Sequence, residues 1–90
     1  MSDNLLLIYE YVADMGERRG PYRADHLEHI KSAQAAGRIG LAGATGDPPD
    51  GGALQFTGVT PEDVEEWVAT DPYNKAGLVL SHKILPWTLV

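Results

Sequence analysis

The chain contains no cysteine. That excludes a disulfide framework and any zinc site built on thiolates, and it suits a reducing compartment. Basic residues are scarce as well: Lys and Arg total 7 against 13 Asp and Glu, a formal net charge of −6. This balance gives no electrostatic footprint for DNA, RNA or an anionic membrane surface, so neither nucleic acid nor membrane is an expected partner. Long apolar runs are also missing. The opening "MSDNLLLIYEYV" starts acidic and holds four consecutive aliphatics before Tyr9, too few for the apolar core of a signal peptide or a spanning helix. The expectation is a cytoplasmic protein folded as a single domain over residues 1–90. A chain of that length buries roughly two-thirds of its unfolded surface, so help from a second subunit is expected.

What is present divides into six elements. "LLLIYEYVA" (residues 5–13) is aromatic and aliphatic and ends at Asp14 and Gly16, which reads as a strand. Leu5, Leu7, Tyr9 and Tyr11 fall on one face and Leu6, Ile8, Glu10 and Val12 on the other, so both faces want cover. Gly20 and Pro21 in "ERRGPYR" break the pattern, and the proline opens a helix that runs to about Ala36 and stops at Gly37. "RIGLAGATG" (38–46) and "ALQFTGV" (53–59) alternate as two strands, joined by the turn chemistry of "GDPPDGG". "TPEDVEEWVATDP" carries Thr60 as N-cap, Pro61 in the first turn and a stripe of Val64, Trp67 and Val68, the signature of a second helix. "GLVLSHKILPWTLV" closes as a strand interrupted late by Pro86.

The order βαββαβ packs most economically as a ferredoxin-like α+β sandwich: an antiparallel four-stranded sheet with two helices on one face. One face is then bare. Because the first strand is apolar on both sides, the open face is expected to pack against the same face of a second copy, making a homodimer.

The stretch "YRADHLEHI" (22–30) sets His26 and His29 three positions apart. At about 100° per residue, Leu27, Ile30 and Ala33 form the apolar side of the helix, with His26 among them and His29 at its boundary. A metal pair is one reading. The spacing is not H-E-x-x-H, and Asp25 and Glu28 are rotated away from His26, so no metal is expected, although His82 on the last strand could in principle complete a site. The other readings are an acid–base residue at the edge of a pocket and a half-buried histidine packed against the sheet, and the pattern does not separate them. Arg18, Arg19 and Arg23 fall within six positions of one another at the start of the same helix. Guanidinium groups there favour a carboxylate, phosphate or enolate, although Arg18 is more simply paired with Asp14 or Glu17. Asp71 precedes Pro72 and suits a cap on a short helical turn; its functional reading is a carboxylate that orients the imidazole of His26, and both can hold at once, although sequence spacing does not show that the two residues meet. "GRIGLAG" follows a helix and begins a strand, the wrong context for a nucleotide loop, so no cofactor is expected.

Taken in order, "RRGPYRADHLEHI", "GRIGLAGATGDP", "EDVEEWVATDPYNKAGLV" and "HKILPW" resemble the YCII-related (YciI-like) family over essentially the whole chain. The resemblance implies a ferredoxin-like domain of the dimeric α/β-barrel type and a small enzyme built on a His and Asp pair. His26 matches the histidine of R-x-x-H-L, Asp71 and Tyr73 match the DPY motif, and Arg19 and Arg23 match the arginines ahead of the histidine. One branch of the family looks like a dehydrochlorinase of chlorinated hydroxyaromatics. The expected function is therefore proton abstraction by His26, oriented by Asp71, with elimination or isomerisation of a small anionic or hydroxyaromatic substrate held by Arg19 and Arg23 and by Tyr73, whose hydroxyl is expected to donate a hydrogen bond to developing negative charge. Hydrolysis is the second enzyme expectation; the His–Asp pair has no evident nucleophile beside it, and Ser81 and Thr57 are candidates by residue type alone. The rival is a non-catalytic module that binds a small anion or serves as an accessory dimer.

Overall fold

The computed structural model describes residues 3–90. In chain order its elements are β1 (Asn4–Tyr11), α1 (Met15–Arg18), α2 (Gly20–Ala35), β2 (Ile39–Thr45), β3 (Gly51–Thr57), α3 (Pro61–Thr70), α4 (Pro72–Lys75) and β4 (Val79–Trp87). The strands form one sheet in the order β2-β3-β1-β4, with every neighbouring pair antiparallel. This is the ferredoxin-like α+β fold.

Alternation on β1 sets the core. Leu5, Leu7 and Tyr9 are buried on one face and meet Leu54 and Phe56 of β3, Ala33 of α2, and Val64, Trp67 and Val68 of α3. The start of α3 is held by a full capping box: the Thr60 hydroxyl accepts from the Asp63 amide at 3.2 Å, and the Asp63 carboxylate accepts from the Thr60 amide at 3.0 Å. A second buried cluster, Met15, Tyr73 and Leu78, ties α1 and α4 to the end of the sheet.

Three details differ from the expectation. The segment before Gly20, read as a break, contains the single helical turn α1, which leads directly into α2. Gly51 and Gly52, read as turn residues, belong to β3. A Cβ on Gly51 would collide with the Tyr9 carbonyl oxygen, so the close approach of β1 and β3 requires glycine there. Pro86 lies inside β4, opposite Leu5, and is tolerated because β4 is an edge strand with only one ladder to satisfy.

The helix α2 does not lie flat on the sheet. Of its apolar side only Ala33 is fully buried, with His26 beside it, whereas Leu27 is 37% exposed. That stand-off opens a space between α2 and the β2–β3 edge. Among the described residues no helix covers the opposite face of the sheet: Leu6 and Ile8 are half-buried there, and Leu41 and Leu85 are exposed. Among the described residues, no helix is long and apolar enough to cross a membrane.

Candidate active site

The site begins with a backbone restriction. Pro72 denies Asp71 the helical conformation, so Asp71 ends α3 extended at φ −66° and ψ 124° and turns its carboxylate inward as the N-cap of α4. Its Oδ1 accepts from the Tyr73 amide at 3.0 Å. The same oxygen lies 2.7 Å from Nδ1 of His26, brought there by the buried edge of α2. Its Oδ2 accepts from the Tyr9 hydroxyl at 2.8 Å. Asp71 thus caps a helix and touches the imidazole at once, at 0% exposure.

The Tyr9 hydroxyl and the Tyr73 amide both donate to this carboxylate, which has only acceptor capacity to offer a third partner. The His26–Asp71 contact therefore places the imidazole proton on Nδ1. Nε2 is left with its lone pair free of any bond to a described residue. Tyr73 supports the ring from one side, stacked at 3.7 Å with planes 8° apart. Its own hydroxyl is sealed from solvent and has no partner among the described residues, so the hydrogen-bond donation expected of it is not offered to the cavity from this position. Burial foremost, then Asp71 as neighbour and acceptor, pushes the Tyr9 phenol far above its ordinary range.

His26 opens on the space beneath α2, a cavity of about 340 Å³. Arg19 and Arg23 line it together with Tyr11 and Tyr73, Lys31 and Gln34 add two more polar side chains, and aliphatic residues complete the wall. Arg18 is drawn off to Asp14 at 3.5 Å on the surface, whereas among the described residues neither Arg19 nor Arg23 has a carboxylate partner. In so acidic a chain, these two guanidinium groups concentrate positive charge on one wall of the cavity.

The YCII-related domain profile matches residues 4–88. The chain belongs to that family. Two solved structures extend the comparison for this YCII-related domain. The 5-chloro-2-hydroxyhydroquinone dehydrochlorinase TftG from Burkholderia phenoliruptrix AC1100, in complex with 2,5-dihydroxybenzoquinone, superposes with a TM-score of 0.82 at 22% identity, covering 97% of this chain and 95% of that one. A putative antibiotic biosynthesis monooxygenase from Bacteriodes thetaiotaomicron VPI-5482 gives 0.59 at 18% identity, covering 98% and 90%. At these identities both are similarities of fold. Comparison with proteins of curated function gave no significant match.

The remaining residues singled out in the sequence fall elsewhere. His29 stacks on Trp67 at 4.4 Å and donates from Nε2 to the Trp67 carbonyl at 3.0 Å, while His82 meets Glu65 at 2.9 Å. Each of the three histidines of this YCII-related domain thus has partners of its own, shared with neither of the others. No group of three or more His, Asp or Glu is placed to hold a metal among the described residues. Ser81 donates to Glu10 at 3.1 Å, Thr57 stands opposite Asn4 in the sheet, and neither lines the cavity. The expectation of a Ser or Thr nucleophile beside His26 is overturned by that placement. Sequence reasoning missed Tyr9, Tyr11 and Lys31, all three of which bear on the site. The tyrosines left a signal: phenols on the buried face of a strand need hydroxyl partners.

Proposed function

We propose that this YCII-related domain is a small enzyme that abstracts a proton from an anionic or hydroxyaromatic substrate and carries it through elimination or isomerisation. The observation that carries the reading is the 2.7 Å contact between His26 and Asp71 at the wall of an open cavity. Nε2 of His26 takes the proton, and Asp71 holds the tautomer and stabilises the imidazolium that forms. The electron pair left by the departing proton develops on a substrate oxygen facing Arg19 and Arg23. Where the adjacent carbon carries chlorine, the C–Cl bond breaks, chloride leaves with its bonding pair, and the proton on His26 passes to water. Tyr73 lines the cavity and supports the imidazole.

The dehydrochlorinase named above suggests the substrate class, and a cavity of about 340 Å³ lies within the usual range for small-molecule sites. The test uses the wild-type protein in deuterated water with 5-chloro-2-hydroxyhydroquinone and a panel of unchlorinated hydroxyquinones. Chloride release from the first, or deuterium incorporation into the ring of the others, is the expected result. Absence of both across the panel contradicts the reading.

The same proposal makes the protein a homodimer through its open sheet face. Leu6, Leu41, Ala53 and Trp87 line a shallow groove there, and Leu85 stands exposed beside it. Contiguous apolar surface of this kind asks for cover. Light scattering at micromolar concentration should give the mass of two chains, and a monomer would refute the pairing.

A further inference from the structure

Alternation along β1 sends two tyrosines, Tyr9 and Tyr11, to the same face, but they are used differently. The hydroxyl of Tyr9 is committed to Asp71. That of Tyr11 is not. The pairing of β1 with β4 shifts register between Glu10 and Tyr11, leaving Leu80 as the extra residue on β4. Bulges next to sites commonly re-aim a side chain. Beyond the shift, the Tyr11 amide donates to the Asp50 carbonyl at 2.9 Å, which fixes its backbone to the end of the β2–β3 hairpin. The ring then stands edge-on to Tyr73, with centroids 5.9 Å apart.

From there the Tyr11 hydroxyl reaches across β3. A Cβ built on Gly52 would lie 2.9 Å from it, so glycine at that position is what leaves room for the phenol. Tyr11 lines the cavity with Arg19 and Arg23. Among the described tyrosines, the hydroxyl that is both sealed and unpartnered is that of Tyr73. That of Tyr11, a residue lining the cavity, is not sealed and makes no hydrogen bond to a described residue. Burial first, then the neighbouring Tyr73 and Asp71, raises the Tyr11 phenol above its ordinary range, while Arg19 and Arg23 pull it the other way. The net direction keeps the proton on the phenol at neutral pH.

We propose that Tyr11 is the phenolic donor of the site: its hydroxyl, together with Arg19 and Arg23, holds the oxyanion of an ionised hydroxyaromatic or enolic substrate. The inference rests on the His26 reading and narrows its substrate class. It moves to Tyr11 the donation that the sequence suggests for Tyr73. Two guanidinium groups supply charge, and the phenol adds one directed bond at the point where negative charge accumulates.

The test titrates two coloured probes of one ring shape into the wild-type protein and into Tyr11→Phe. The probes are 2,5-dihydroxybenzoquinone, which carries ionised oxygens, and 2,5-dimethyl-1,4-benzoquinone, which carries none. Loss of one hydrogen bond to a charged group predicts a roughly ten- to hundred-fold weaker Kd of the variant for the dihydroxy probe. Affinity for the dimethyl probe stays within about twofold of the wild type, which a general disturbance of packing would not allow. Equal affinity of variant and wild type for the dihydroxy probe, or an equal loss for both probes, overturns the assignment of Tyr11 and leaves the His26 reading standing. A wild-type protein that binds the dihydroxy probe no better than the dimethyl one removes the anion site itself, and this inference with it.

Discussion

Asp71→Ala lowers the melting temperature more than any other single truncation at the site. Three donors converge on that carboxylate: Nδ1 of His26, the hydroxyl of Tyr9 and the amide of Tyr73. Truncation leaves all three without an acceptor in a place where Asp71 is fully buried. Each stranded donor costs about 1–3 kcal/mol, and the sum is tempered because the neighbours relax together, so the expected loss is roughly 3–5 kcal/mol. For a domain of this size, about 4–8 °C per kcal/mol converts that to a fall of well over ten degrees by calorimetry. The α4 turn is lost with its cap. A fall of only a degree or two would mean that the carboxylate is not the hub the geometry describes.

His26→Asn separates chemistry from folding. The asparagine amide reaches the place of Nδ1 and can still donate to Asp71, so the carboxylate keeps its set of donors. What disappears is Nε2, the atom that takes the proton. General-base catalysis is worth roughly 10²–10⁴-fold, and turnover should fall by that much while the melting temperature holds within a few degrees. Steady-state rates and a thermal melt on the same preparation check it. A variant that turns over normally would exclude His26 as the base and end the proton-abstraction mechanism proposed for it.

The element order was legible because its signals are local. Thr60, Pro61 and Asp63 announce α3 within four residues, and the alternation of Leu5, Leu7, Tyr9 and Tyr11 names the buried face of β1 outright. The placement of His26 followed from helical periodicity, and the dual use of Asp71 as cap and orienter was available as an idea from the Asp–Pro pair. Their meeting was not, because they are 45 residues apart and only the packing of α2 over α4 brings them together. Leu27 misled for a related reason. Periodicity placed it on the apolar side of α2, but a helix that roofs a cavity leaves part of that side open. The glycine pair at 51 and 52 was read as a turn because glycine is ambiguous between a turn and a close approach of strands, and only the partner strand decides. Tyr11 escaped notice because a half-buried phenol on a strand looks like core until the glycine beneath it and the arginines beside it are placed.

The central claim is that the His26 imidazole is held with its proton toward Asp71 and its lone pair toward the cavity. Long-range proton–nitrogen correlation NMR of the imidazole reads this directly under conditions where the ring is neutral. The account predicts a proton on Nδ1 and a bare, pyridine-like Nε2 for His26, and the loss of that pattern in Asp71→Asn, whose side-chain amide can present a donor to the ring. A proton on Nε2 of His26 in the wild-type protein would contradict it, since the atom assigned to receive the substrate's proton would already carry one.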